Sequence, residues 1–374
     1  MEIKNNESNY TKYELEKIVE KLNSSEQIMI FGAGSFGQYF GSKFLSKNIN
    51  IAYYIDNDES KEGKFINGIP IILANELKNS DLSNNLIFIC STWSEEISKQ
   101  LLSFEIENFV ILDFQLYFLL EYTIQQQAIA FQTFYESHKH DFEQLNFLWG
   151  DQSSREVFSG IIKYRLTGDP SYILKSQYPQ YLHPIVSPRK NDVIFDGGAY
   201  IGDTAEIFLE YLENQCRIYS FEPSESNYKM LNNFIVESQT KNIIAVKAGL
   251  GEKNEKLYMN STACVINSGY SIGNTGREET QVLSIDSYIT MNAINNVNLI
   301  KLDVEGFELA TLKGAMKTIS TFKPRLQVCL YHKNEDLLDI PNYIAENFGN
   351  LGYKFYVGHH SDCFLETVLY ASCE

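Results

Sequence analysis

Two apolar runs constrain this chain more than any other feature. Ile28 to Phe31 and Val193 to Phe195 each read as a buried strand, and each runs straight into a glycine-rich turn that opens a helical stretch. Glycines in that position let the backbone turn sharply or come close to a ligand. Further strand signals follow each turn. After the first come Ile51 to Ile55, Ile69 to Leu73, Leu86 to Cys90 and Phe109 to Leu112. After the second come Ile218 to Phe221, Ile243 to Lys247, Val282 to Ile285, Leu299 to Leu302 and Leu326 to Tyr331. Lys354 to Val357 and Thr367 to Tyr370 read as an antiparallel pair closing the second series. Strands alternating with helices predict mainly parallel sheets, so the expected class is α/β.

A length of 374 residues suits two such domains in tandem. The expected division is 1–113 for the first, with a lead-in helix over Tyr10 to Leu22, and 191–374 for the second. Residues 114–190, rich in Phe, Tyr and Gln and then broken by prolines, read as a helical connector with a lid-like entry. No sequence repeat links the two series. The 44% apolar content is enough for a large core and excludes a disordered chain. Subtracting 48 acidic from 31 basic residues leaves −17, a charge that repels phosphate backbones and anionic membrane, so no nucleic-acid partner is expected.

Six cysteines, Cys90, Cys216, Cys264, Cys329, Cys363 and Cys373, are too scattered for a zinc knuckle and read as reduced thiols. Met1 to Ser8 is polar. The most apolar stretch, Phe114 to Tyr135, carries Glu121 and Gln125 to Gln127, so no membrane span is expected. The expectation is a soluble, cytoplasmic protein.

In the second domain the turn is Asp196-Gly197-Gly198-Ala199-Tyr200-Ile201-Gly202-Asp203-Thr204, and Glu222 stands at the end of the next strand. A carboxylate there can accept hydrogen bonds from both hydroxyls of an adenosine ribose. A glycine turn after any buried strand looks similar, so spacing alone leaves the two readings level. Further blocks separate them. Ser220-Phe221-Glu222-Pro223-Ser224, Ile300-Lys301-Leu302-Asp303-Val304-Glu305-Gly306-Phe307-Glu308 with Leu312-Lys313-Gly314-Ala315, Lys323-Pro324-Arg325-Leu326 with Tyr331-His332-Lys333 and Ile340-Pro341, and Glu366-Thr367-Val368-Leu369-Tyr370-Ala371 follow in order. From about Ser153 onward the chain resembles the FkbM-like methyltransferases.

The resemblance implies two Rossmann-like domains joined by the connector, the second a class I methyltransferase fold whose mostly parallel sheet has an antiparallel end. It also implies S-adenosylmethionine as cofactor, contacted by Asp196, Gly198, Ala199, Tyr200, Gly202, Asp203, Thr204, Glu222, Pro223 and Ser224. The implied activity is O-methylation of a carbohydrate hydroxyl, on a sugar nucleotide or a surface-glycan residue. Departures from the pattern are Tyr200 where the wider class has glycine, Phe307 after the Asp-Val-Glu-Gly block, and Gly358-His359-His360 where an Arg-His pair is common.

Methyl transfer from a sulfonium is an in-line displacement that needs alignment and, for a hydroxyl acceptor, a base. Asp303 and His332 end neighbouring strands, where open α/β sheets place their chemistry, and Glu305 lies in the turn two residues on. His332 is the preferred base, because an ordinary imidazole titrates near neutrality. Asp303 then orients it or contacts the acceptor. Alternatively Asp303, Glu305 and His332 hold a divalent metal, which the sequence does not require. Helix capping is the plainer role for Glu305 or Glu308, and pairing with a carboxylate for Lys301. Asn260 to Thr280, with glycines and asparagines between Asn267 and Gly276, reads as a loop near the site.

The first turn, Gly32-Ala33-Gly34-Ser35-Phe36-Gly37, follows a strand and opens a helix, with Asp56 at the next strand end. That is the context of a nucleotide-binding turn, with Gly32, Gly34, Ser35, Phe36, Gly37 and Asp56 as candidates. With Ile55-Asp56-Asn57-Asp58 and Gly68-Ile69-Pro70, it resembles Rossmann-like nucleotide-sugar-handling domains. NAD(H), a sugar nucleotide, or a scaffold and homodimerisation role all remain open. The alternatives for the whole chain are an oxidoreductase or nucleotide-sugar-modifying enzyme with its chemistry in the first domain, and a non-catalytic binding module.

Overall fold

The computed structural model describes residues 11–79, 82, 84–123, 126–261, 270–273 and 278–373. Thr11 opens α1 (Lys12–Ser24) with a reciprocal cap: Glu14 N–H donates to its hydroxyl, and Thr11 N–H donates to the Glu14 carboxylate at 2.8 Å. Then come β1 (Gln27–Phe31), α2 (Ser35–Ser46), β2 (Ile51–Asp56), β3 (Phe65–Ile66), β4 (Ile69–Leu73), β5 (Asn85–Ile89), α3 (Ser94–Ser103) and β6 (Phe109–Ile111). They form a sheet of order β3-β4-β2-β1-β5-β6, parallel except for β3. The chain leaves β1 for one side and returns on the other, so a crevice opens at the carboxyl ends of β1 and β5.

Four helices follow, α4 (Phe114–Thr123), α5 (Gln126–Ser137), α6 (Lys139–Leu145) and α7 (Gln152–Thr167). They do not act as one connector. Leu116, Tyr117, Leu119 and Leu120 of α4 belong to the first core, while Phe131, Phe142, Phe158 and Ile161 of α5 to α7 belong to the second. The apolar side chains fall that way because each sheet needs a cover on its open face. The two cores also meet: Tyr164, Ile173, Cys363 and Phe364 pack into the first, and the Phe118 and Phe364 rings lie 5.4 Å apart, edge to face.

The second domain runs β7 (Asp192–Gly197), α8 (Asp203–Tyr211), β8 (Cys216–Phe221), α9 (Glu225–Glu237), β9 (Ile243–Val246), β10 (Gly249–Leu250), β11 (Glu255–Ser261), β12 (Tyr270–Gly273), β13 (Glu278–Leu283) and α10 (Ile285–Met291). It continues with β14 (Leu299–Leu302), α11 (Glu308–Lys313), α12 (Met316–Phe322), β15 (Arg325–Cys329), α13 (Asp336–Phe348), β16 (Lys354–His359) and β17 (Thr367–Ser372). The main sheet has the order β16-β17-β15-β14-β7-β8-β9, with β17 antiparallel to both its neighbours. This is the mostly parallel sheet with an antiparallel end that the sequence predicts.

One strand belongs elsewhere. Val282 and Leu283 join a small sheet, β10-β13-β11-β12, and Ile285 already starts α10. The expected loop from Asn260 to Thr280 accordingly contains β12 and part of β13; residues 262–269 and 274–277, with Cys264, lie outside the described residues. Cys90, Cys216, Cys329, Cys363 and Cys373 form no disulfide among the described residues. Among the described residues no helix is long and apolar enough to cross a membrane.

Candidate active site

A cleft opens where β7 and β14 part, at the switch point of the main sheet. Gly198, Tyr200, Asp203, Thr204, Glu222, Pro223, Lys301, Asp303 and Glu305 are among the residues lining it. Glycine at 198 is obligatory. Its φ is +74°, and a Cβ there would meet the Asp303 carbonyl oxygen at 1.8 Å. Tyr200 and Glu305 adopt left-handed backbone without being glycine, at φ 49° and 53°. Strain of that kind is held in place by packing and gathers at functional sites.

Glu222 ends β8 and is buried. Its carboxylate accepts the Tyr200 N–H and the Ser224 N–H, both at 2.9 Å. Burial pushes its pKa up to about 7, and those two hydrogen bonds only partly oppose the rise. A carboxylate of this kind has acceptor capacity left for a ligand.

Not every residue of the turn reaches the cleft. Asp196, expected at the cofactor, is fully buried behind it and pairs with Lys301 Nζ at 3.0 Å. The reason is strand register: Lys301 on β14 lies directly opposite Asp196 on β7. That amine also donates to the Gly198 carbonyl at 2.9 Å, so the pair holds the glycine turn from beneath. Ala199, Gly202 and Ser224 are likewise buried and are not among the lining residues. Ser224 instead caps α9, and Gly202 fits under Phe234 and Leu231 at φ +99°.

At the other end of the cleft, charge accumulates around one imidazole. His332 Nε2 lies 3.5 Å from Asp303 Oδ1 and 3.4 Å from Glu305 Oε2, and Nδ1 lies 3.0 Å from Glu308 Oε1. The sequence leads one to expect a neutral base here, and the surrounding carboxylates act against it. Burial alone would lower the pKa of His332, but Glu308, Asp303 and Glu305 outweigh it and push it up to about 10. An imidazolium cannot accept a proton near neutrality. His332 also stands behind Asp303 and Glu305 and does not line the cleft itself.

Asp303 is held by two phenols that the sequence reading missed: Tyr331 donates to Oδ1 at 2.7 Å and Tyr181 to Oδ2 at 3.1 Å. Burial pushes its pKa up, yet Lys301, His332 and the Tyr331 hydroxyl together hold it below the ordinary value. Glu308, fully buried at the start of α11, does cap the turn by accepting the Val304 N–H at 2.8 Å, and it faces His332 as well. Glu366 precedes β17 at φ 60°, its pKa raised to about 7 by burial and by Asp303 and Asp362.

The first glycine turn is built alike, but its strand-end acid is already paired with a lysine. Gly32 has φ +115°, and a Cβ on it would meet the Cys90 carbonyl oxygen at 2.4 Å; one on Gly37 would meet the Gly32 oxygen at 1.7 Å. Gly34 and Ser35 are exposed at the start of α2, whereas Phe36 turns inward against Phe40 and Phe114. Asp56 accepts the Ala33 N–H at 2.9 Å and the Asp58 N–H at 2.9 Å, and pairs with Lys61 at 2.8 Å.

Residues 196–355 match the family model of the methyltransferase FkbM domain, and residues 24–112 match that of the C2185-like N-terminal domain. A hexuronic acid methyltransferase, AglP, from Haloferax volcanii is 22% identical over 158 residues, which cover 42% of this chain and 63% of that protein. The match thus spans less than two thirds of the relative's length. A crystal structure of a methyltransferase FkbM from Methylobacillus flagellatus KT is similar in fold, with a TM-score of 0.63 and 21% identity over 97% of this chain and 94% of the other.

Proposed function

From a chain whose residues 196–355 match the methyltransferase FkbM domain, we propose an enzyme that moves a methyl group from S-adenosylmethionine to a carbohydrate hydroxyl. The observation that carries the proposal is the cleft itself. A buried strand-end carboxylate, Glu222, stands at one end and a carboxylate-rich cluster at the other, with the strained turns of Tyr200 and Glu305 between. Glu222 accepts the ribose hydroxyls of the donor, and Lys301 with Asp196 keeps the glycine turn in position beneath it. The sulfonium is already a good leaving group, so the protein's task is alignment and removal of one proton.

That proton goes to a carboxylate, since His332 is charged. Glu305 is the candidate: it lines the cleft and is the most exposed carboxylate touching the imidazole. A sugar acceptor is consistent with the hexuronic acid methyltransferase among the relatives. The first domain serves acceptor choice or assembly. Incubating the protein with the donor and a panel of nucleotide sugars should yield a product heavier by one methylene, read by mass. Glu305→Gln should lower turnover by roughly 10²–10⁴-fold with donor affinity unchanged. Near-normal turnover in that variant would remove Glu305 from the role.

A further inference from the structure

The cluster around His332 holds more negative charge than its own cations balance. Asp303, Glu305 and Glu308 all touch one imidazole. Asp336, whose Oδ2 accepts the Lys333 N–H at 2.7 Å, stands close enough to Glu308 to feel its charge. The neighbouring lysines are engaged elsewhere, Lys301 on Asp196 and Lys333 on the Gly306 carbonyl. Within the cluster, Asp303, Glu308 and His332 each offer one ligand atom, and these atoms all lie within 4.8 Å of one another.

A second observation is independent of the charges. Glu308 is fully buried, yet its Oε2 receives no hydrogen bond from the described residues. His332 Nδ1 is 3.0 Å from the other oxygen of that carboxylate. An orphaned polar atom costs about 1–3 kcal/mol when buried, so a fold that keeps Glu308 Oε2 in this cluster has a partner in view.

We infer that Asp303, Glu308 and His332 hold a divalent cation of the magnesium–manganese class, the imidazole giving up its extra proton as the ion binds, and that the ion meets the acceptor hydroxyl at Asp303, which lines the cleft. Two carboxylate oxygens with one imidazole suit such an ion, whose remaining positions are filled by water and by substrate oxygen. The assignment of the bound hydroxyl rests on the methyl-transfer reading above; the cation site itself does not. A hydroxyl on the cation gives up its proton more readily. As its oxygen bonds to the methyl carbon, the carbon–sulfur bond breaks with its electron pair left on sulfur, and the proton passes to the Glu305 carboxylate.

The test uses the full chain, freed of metal with a chelator, and Mn²⁺ alone as probe. Free Mn²⁺ is followed by electron paramagnetic resonance, and S-adenosylmethionine affinity is measured in parallel by calorimetry. One saturable Mn²⁺ per chain is expected, weakened at least ~10-fold in Asp303→Asn and in His332→Gln. Glu308→Gln should behave alike, and the other two variants carry the result if that buried change prevents folding. Absence of saturable binding, or binding undiminished in Asp303→Asn and His332→Gln, would overturn the site. Mn²⁺ binding without donor binding would leave the cation site standing and sink the methyl-transfer reading; donor binding without Mn²⁺ would do the reverse.

Discussion

The two glycine turns of this chain are built on one plan and end in opposite states. In each, a strand-end carboxylate reaches back and accepts a backbone N–H of the turn at 2.9 Å, Ala33 to Asp56 in the first and Tyr200 to Glu222 in the second. The difference lies in what else the acid meets. Asp56 pairs with Lys61, and burial, which pushes its pKa up, is outweighed by that lysine and by the Asp58 and Ala33 N–H groups, so the pKa falls below its ordinary value. Glu222 meets backbone N–H groups and the Asn227 amide at 3.5 Å, has no cation in contact among the described residues, and burial wins over these and the more distant charge of Lys301. A glycine turn followed by an acid therefore specifies a tight strand-to-helix junction. Whether a ligand can use it depends on how far the acid is already neutralised.

The largest effect should come from the glycines. Gly198→Ala would drive a methyl into the Asp303 carbonyl oxygen from a φ of +74°, which forces the turn and the end of β14 apart. Donor binding should be lost beyond detection by calorimetry. At Gly34 there is nothing within 4 Å of a Cβ and no positive φ, so Gly34→Ala should leave both folding and donor affinity as they are. Equal damage from the two substitutions would erase the distinction.

Next in size is Glu222. Removing its carboxylate takes away charge-assisted hydrogen bonds of about 1.5–3 kcal/mol each, so Glu222→Ala should weaken the donor at least ~10-fold. Its pKa adds a sharper test. The folded value is raised from 4.5 to about 7, so the native state binds a proton that the unfolded chain releases. Stability should therefore fall as pH rises from 4.5 towards 7, by up to about 3 kcal/mol. Donor affinity should move the other way, rising through pH 7 as the carboxylate ionises. A profile with the same slope in Glu222→Gln would assign the titration to another group.

Much of this was legible in the residues. The strands of both sheets follow from local apolar runs, and the cleft position follows from where the glycine turn and Glu222 fall along them. What stayed hidden depends on contacts across long stretches of chain. Tyr181 meets Asp303 from 122 residues away, through a segment with no motif of its own. His332 looked like a neutral base because its ordinary pKa lies near 7, and nothing in the sequence says that Asp303, Glu305 and Glu308 all converge on its ring. Val282 and Leu283 read like their neighbours on the main sheet, since apolar pattern reports burial and not which sheet provides it.

The smallest effect tests what neutralises the acid of the first turn. The Lys61–Asp56 pair is partly exposed, at 32% and 14%, so its loss should cost no more than about 1 kcal/mol. In Lys61→Met the Ala33 and Asp58 N–H groups still hold Asp56, and the packing of Gly37 on Gly32 is untouched. Thermal unfolding should shift by a few degrees at most, and affinity for S-adenosylmethionine should not change, because Glu222 lies in the other sheet. Asp56, relieved of its cation, then resembles Glu222 in being held chiefly by backbone N–H groups. If the lysine is what separates the two turns, Lys61→Met should gain measurable affinity for a free nucleoside diphosphate or for NADH, followed by fluorescence of the exposed Trp93 beside the turn. No gain would place the difference in the backbone of the turn, where Gly32 abuts Cys90, and would leave Lys61 a surface contact.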